Sequence, residues 1–143
     1  MLVSIAVFGL FHSSEFWVRP ATSQAVRVET ESNTVTLEGR RIAKFHLGQT
    51  GPLRVMRDFQ LIIPGKIDRR FRGVLHITPA ARELIATIDM DLEDAVASVI
   101  AAESVPGAGL EALKAQAVVA RSFYTASPRR HHSFNFCDTT HCQ

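Results

Sequence analysis

Residues 91–103 read DLEDAVASVIAAE, and residues 110–124 read LEALKAQAVVARSFY. Both stretches are rich in Ala, Leu, Glu, Lys and Gln, which are strong helix formers. Asp91 is placed to cap a helix that starts at Leu92, with Asp94 in its first turn to complement the dipole. Val105-Pro106-Gly107-Ala108-Gly109 must break that helix. Proline lacks the N–H that a helix interior needs, and glycine loses the most backbone freedom there. A second helix is predicted over residues 110–124, and Pro128 ends the helical pattern.

Before Asp91 the character differs. Val26-Arg27-Val28-Glu29 and Val35-Thr36-Leu37-Glu38 alternate apolar and polar residues with period two, with a polar turn over residues 30–33 between them. Gly39, Gly48 to Pro52, Pro64-Gly65 and Thr78-Pro79 punctuate the rest at short intervals. That spacing of turns predicts several short antiparallel strands, with further ones at residues 59–63 and 73–77. Residues 1–11 (MLVSIAVFGLF) read as a buried first strand. Their length also suits a secretory h-region, but no basic n-region and no A-x-A site accompany them. Residues 129–143 have no periodicity and read as loop. Strands first and helices second predict an α+β fold. It is a single domain over residues 1–143, with a strand-rich part at 1–90 and a helical part at 91–143.

Composition limits the function. With 143 residues, 46% hydrophobic and 21% charged, the chain is neither collagen-like nor low-complexity, and it has room for one domain with a real core. No run reaches the ~18 apolar residues that span a bilayer. Sixteen basic residues against fourteen acidic ones leave a net charge of +2, too small to indicate a nucleic-acid partner.

Three groups of residues carry chemistry. Leu92, Val96, Val99 and Ile100 form one face of the first helix, and Glu103 extends that stripe, about 20° from Leu92. A carboxylate on an apolar stripe, at a helix end beside a Pro-Gly turn, is expected to be partly desolvated. Desolvation raises a carboxyl pKa, which suits a general acid. The alternative is that the helix has ended and Glu103 points to water. Glu83, Glu93 and Glu111 read as solvated faces, and no second acid is placed like Glu103. On the second helix, Leu110, Leu113, Ala117, Ala120 and Tyr124 form a stripe, with Lys114 and Arg121 at its edge. These cations either hold an anionic group or snorkel over the core. The tail RRHHSFNFCDTTHCQ holds Cys137, Cys142 and the imidazoles of His131, His132 and His141. Thiolate and imidazole suit tetrahedral zinc. A Cys137–Cys142 disulfide and free thiols are the other readings. His12, His46 and His76 stand alone and read as plain strand or surface histidines.

Several of these stretches resemble the stage II sporulation protein D family, which includes amidase enhancers of bacterial cell walls. They are Ala101-Ala102-Glu103-Ser104-Val105-Pro106, the run EALKAQAVVAR that follows, and Cys137-Asp138-Thr139-Thr140-His141-Cys142-Gln143. Asp89-Met90-Asp91-Leu92-Glu93 resembles the family's lead-in to its catalytic helix, and Phe71-Arg72-Gly73 one of its strands. The resemblance implies an extracytoplasmic protein, secreted or membrane-anchored, that acts on peptidoglycan. It implies a lytic transglycosylase that cleaves peptide-free glycan strands and leaves 1,6-anhydro-N-acetylmuramic acid ends. Glu103 stands where the family has its catalytic glutamate, and Lys114, Gln116 and Arg121 would shape the substrate groove. Some members are expected to hold zinc, here with His131, Cys137, His141 and Cys142. The alternative within the family is a non-catalytic glycan-binding module that stimulates an N-acetylmuramoyl-L-alanine amidase. The family pattern runs on past CDTTHCQ, so the resemblance also implies an incomplete domain, with activity belonging to a longer protein.

Overall fold

The computed structural model describes residues 1–31, 33–49, 55–126 and 131–138. The strand-rich part forms β1 (Leu2–Val7), β2 (Glu15–Pro20), β3 (Val26–Glu31), β4 (Thr34–Leu37), β5 (Arg40–Ile42), β6 (Phe45–Leu47), β7 (Arg57–Ile63), β8 (Ile67–Ala80) and β9 (Glu83–Asp91), of which the sequence pattern does not single out β2, β5, β6 and β9. Then come α1 (Leu92–Glu103), α2 (Leu110–Ala126) and β10 (Phe136–Cys137). The fold is α+β, with strands dominating. Among the described residues, no helix is long and apolar enough to cross a membrane.

The strands lie in the order β10-β1-β9-β8-β7-β2-β3-β4-β5, and β6 pairs with β8. All neighbours are antiparallel except β1 and β10. Val28 and Val35, near one end of this order, share a core cluster with Leu75 and Ile88 of β8 and β9. The sheet therefore curls over one core. Phe16, Leu61, Leu75, Ile77 and Ile88 are fully buried in it.

β8 connects the two halves. Its first half pairs with β7, up to Gly73 opposite Arg57. Its second half pairs with β9, beginning with Val74 opposite Asp89. Gly73 is buried at the changeover. A Cβ there would lie 2.5 Å from the Asp89 carbonyl oxygen and 2.7 Å from Cγ2 of Ile88. Glycine inside a strand often marks such a close approach of backbones.

The first strand forms as read, with Val3, Ile5, Ala6 and Val7 buried, and a short 3-10 turn, Gly9–Phe11, follows it. Four local expectations are corrected. Thr78-Pro79 does not break the chain, because Pro79 lies inside β8, opposite Leu84, one residue from the strand's end. The reversal falls instead at Ala81, with φ +58°, whose N–H donates to Oδ1 of Asn33. Asp91 precedes α1 in an extended conformation but makes no side-chain capping bond. The Leu92 N–H donates to the Met1 carbonyl at 2.9 Å, so an orphan donor of the first turn is satisfied by the residue that precedes β1. The second helix runs on to Ala126. The tail is not all loop, since Phe136 and Cys137 pair with Ile5 and Ala6.

Gly73→Ala is expected to lower stability by about 1–3 kcal/mol, the cost of overpacking a filled site. Urea unfolding should show a lower midpoint with an unchanged slope. An unchanged midpoint would mean that the changeover is not sterically fixed.

Candidate functional site

A trough of about 370 Å³ lies between α1, α2 and the sheet. Ala95 and Val96 bury the inner face of α1; of the predicted stripe Val96 is buried, and Leu92, Val99 and Ile100 are half-buried. Farther along, Val99, Ala102 and Glu103 line the trough, and α2 faces them with Gln116, Ala120 and Tyr124. Phe123 and Tyr124 pack on Phe136 of β10, with ring centroids 5.4 and 4.9 Å away, and all three line the trough. Most of the lining is apolar, with few polar groups at its edge, the usual make-up of a ligand cleft.

Glu103 is the last residue of α1 and stands at this trough. It is exposed, so the expected desolvation is not found. The apolar stripe continues around the helix as predicted, but only the first turns of α1 rest on the sheet. Ala101 and Ala102 are exposed like Glu103, and Val105 in the following turn is 70% exposed. The next residue is tied down: the Ser104 hydroxyl donates to Oε1 of Gln116 at 2.9 Å. That bond links the end of α1 to α2 beside the glutamate.

Gln116 thus joins Glu103 at the trough, while Lys114 and Arg121 do not line it. Lys114 is exposed and pairs with Glu111 at 2.8 Å. Arg121 spans the two helices, donating from Nε and Nη2 to both carboxylate oxygens of Glu93. This bond holds the Glu93 carboxyl below its ordinary pKa and pushes Arg121 up. Glu93 and Glu111 are therefore paired rather than merely solvated, as is Glu83 with His12. In the second stripe, Ala120 is buried, but Leu110 at its start is 65% exposed. The helix rests on α1 and on β10 at the edge of the sheet.

The tail is stapled to β1. Asn135 and Ser4 exchange bonds: Asn135 N–H donates to the Ser4 carbonyl, and Ser4 N–H donates to Oδ1 of Asn135. Asp138 N–H donates to the Ala6 carbonyl, and Oδ2 of Asp138 accepts the Phe8 N–H at 2.7 Å. Cys137 and Asp138 line the trough. Of the four expected zinc ligands, His131 and Cys137 are described, and His141 and Cys142 lie outside the described residues. Among the described residues, no set of three His, Cys, Asp or Glu side chains is arranged to hold a metal. His131 and Cys137 alone do not build a zinc site.

Sequence reading missed Asp138, a second acid at the trough, and Arg69 and Phe71 of β8 beside it. Much of Asp138 is open to solvent, but Oδ2 sits against the buried Phe8. Loss of water there pushes its carboxyl pKa above the ordinary value, against the pull of the Phe8 N–H and Arg69. The signal was in view, since Cys137-Asp138 opens the tail motif. It could not be placed without the β1–β10 pairing.

The family model described as SpoIID, stage II sporulation protein, matches residues 80–143, from the end of β8 to the tail. No curated protein and no solved structure matches the chain.

A separate polar cluster occupies the other face of the sheet. Met90 lines the trough, so Asp89 beside it in β9 points the other way. Asp89 Oδ2 lies 3.1 Å from Nε2 of His76, and His76 Nδ1 lies 2.7 Å from Nδ1 of His46. His46 and His76 are cross-strand partners on β6 and β8, so they do not stand alone. Asp89, His76 and His46 thus form one hydrogen-bonded chain across three strands. Burial, then His76 and Lys44, hold His46 below its ordinary value of 6.5. The hydrogen bond from His76 and then that from Ser4 hold Asp89 below 3.8, against desolvation. Groups with depressed folded pKa values stabilise the fold above their unfolded pKa, and lose that contribution as pH falls through the folded value. Stability should therefore drop between about pH 7 and about pH 5 through His46. His46→Gln is expected to flatten that acid branch in urea titrations at the two pH values. An equally steep branch in the variant would remove His46 as its source.

Proposed function

Residues 80–143 belong to the stage II sporulation protein family, and from that membership, which supports a cell-wall role in sporulation, we propose that the chain cleaves peptidoglycan glycan strands as a lytic transglycosylase. The observation that carries this reading is the place of Glu103, at the end of α1 on a trough walled by two helices and a sheet. The substrate would be glycan stripped of its stem peptides, and the protein would work outside the cytoplasmic membrane.

On this reading one carboxyl acts twice. Protonated Glu103 gives its proton to the oxygen that bridges N-acetylmuramic acid to N-acetylglucosamine, and the bond from the anomeric carbon to that oxygen breaks. The carboxylate then takes the proton of the muramoyl 6-hydroxyl as that oxygen attacks the anomeric carbon. The products are a 1,6-anhydro end and a free N-acetylglucosamine hydroxyl, with no water consumed. A glycoside hydrolase commonly needs a second carboxylate as base or nucleophile. Here the nucleophile belongs to the substrate. A strand in the trough would cover Glu103 and exclude water from it. Gln116, held by Ser104, is placed to fix the turn beside the reacting sugar.

The exposure of Glu103 favours a second reading, a glycan-binding module that stimulates an amidase. A zinc ion held by His131, Cys137, His141 and Cys142 is part of the proposal but takes no step in the reaction. Metal analysis of the reduced protein should give about one zinc per chain, and a value near zero removes it.

Peptide-free strands incubated with the protein should yield anhydro-ended fragments by mass spectrometry. Glu103→Gln should slow their release by at least about a hundredfold, the scale of general acid–base catalysis. Binding without cleavage, joined to faster amidase action, would replace the enzyme by the enhancer. Cleavage undiminished in Glu103→Gln would remove the mechanism.

A further inference from the structure

A second, larger cavity of about 830 Å³ opens on the other side of α1. It meets the Glu103 trough at Phe71, Met90 and Ser98, which line both. Asp94, Ala97 and Ala101 of α1 form one wall, and residues of β2, β7 and β8 form the other.

The sheet wall carries three guanidinium groups, from Arg19, Arg70 and Arg72. Their placement follows from register. Arg19 of β2 is the partner of Gln60 in β7, and Gln60 is the partner of Arg70 in β8. The three side chains thus form a row across adjacent strands spaced about 4.8 Å apart. Arg72 lies two residues beyond Arg70, on the same face of the strand. Oε1 of Gln60 accepts from Arg19 at 3.1 Å, and Nε2 of Gln60 donates to Asp68. Gln60 therefore orients Arg19 without neutralising it. Among the described residues, neither Arg70 nor Arg72 has an ion pair or a hydrogen bond from its side chain. Asp58 and Asp94 also line the cavity, so three cations face two anions. Asp58 is the register partner of Arg72, yet the two make no ion pair.

Like charges held side by side on a sheet repel, and an anion between them relieves the repulsion. Guanidinium forks match carboxylates in two-bonded geometry. We propose that this cavity is a carboxylate-binding subsite for the glycan strand whose reacting sugar lies at Glu103. Arg19, Arg70 and Arg72 hold the lactyl carboxylates of muramic acid residues along the strand. These carboxylates are free only where the stem peptide has been removed, because the peptide is joined to them as an amide. The subsite rests on the glycan reading above and adds a reason for preferring peptide-free strands.

The test uses the chain carrying Glu103→Gln, so that strands stay intact. Its affinity is measured by calorimetry for peptide-free strands, and for the same strands with their lactyl carboxylates amidated. Arg19→Gln/Arg70→Gln/Arg72→Gln is expected to weaken binding of the free-carboxylate strands by at least about tenfold, and of the amidated strands by less than about twofold. The corresponding triple lysine variant, which keeps charge but loses the fork, should recover part of the loss. An equal loss on both strands, no loss on either, or a parent chain that binds both strands alike would overturn the subsite. Thermal melting of each variant identifies a loss that comes from unfolding, and the lysine variant then decides by its discrimination between the two strands. Cleavage by the unmodified chain separates this proposal from the reading beneath it. Carboxylate-dependent binding without anhydro products sinks the enzyme and keeps the subsite. Anhydro products without carboxylate discrimination do the reverse.

Discussion

The close approach of the Gly73 backbone to the Asp89 carbonyl ties the half of the sheet that carries the cavity arginines to the half that leads to Glu103. On one side of that contact, β8 pairs with β7 and carries Arg69, Arg70, Phe71 and Arg72. On the other side it pairs with β9, which runs directly into α1 and so to Glu103. A side chain at position 73 would push Asp89 away from β8. The displacement would pass along β9 into the first turn of the helix. Steric fit at one backbone position thus links the arginine-bearing half of the sheet to the half that bears the acid. Well-packed interiors transmit such strain rather than absorbing it.

β1 fixes the remaining walls. Met1, just before it, accepts the Leu92 N–H and anchors the start of α1. The other edge of β1 takes β10, and the bonds of Ser4 to Asn135, and of Ala6 and Phe8 to Asp138, hold the tail in register. Phe136 is thereby buried beneath Phe123 and Tyr124 of α2, a contribution on the order of 2 kcal/mol for a side chain of this kind. α2 makes few other anchoring contacts, and Leu110, Val118 and Val119 remain largely exposed. The second helix of the trough is held chiefly by α1, through Arg121 to Glu93 and Gln116 to Ser104, and by a two-residue strand.

What the sequence made legible was local. Period, capping position and the Pro106-Gly107 break located both helices to within two residues, because each signal acts over one or two turns. Alternation found β3 and β4, and the spacing of turns found β7, for the same reason. The misses share one cause. How far the sheet reaches beneath α1 is a tertiary fact, so the helical stripe gave the direction of Glu103 but not its exposure. His46 and His76 meet only through the β6–β8 register, thirty residues apart in sequence. A two-residue strand such as β10 is too short for alternation to show, which hid Asp138. Pro79 reads as a breaker by composition, yet a proline near the end of a strand loses few ladder bonds. Lys114 and Arg121 sat at the predicted helix edge, but each had an acid within reach that spacing from Leu110 alone does not reveal.

The two acids of the trough are not equivalent, and the difference bears on the proposed chemistry. Asp138 is committed to the fold: one of its oxygens holds the Phe8 N–H, and its own N–H completes the pairing of the tail with β1. A nucleophile or base would need that carboxylate free to approach an anomeric carbon. Glu103 sits at a helix end with no such duty to the backbone, beside apolar groups that a bound sugar would seal from water. A reaction in which the substrate supplies its own attacking hydroxyl needs one carboxyl, and among the described residues of the trough Glu103 is the one without a bond to the backbone. A hydrolytic route through Asp138 would compete with the bond that its Oδ2 makes to the Phe8 N–H.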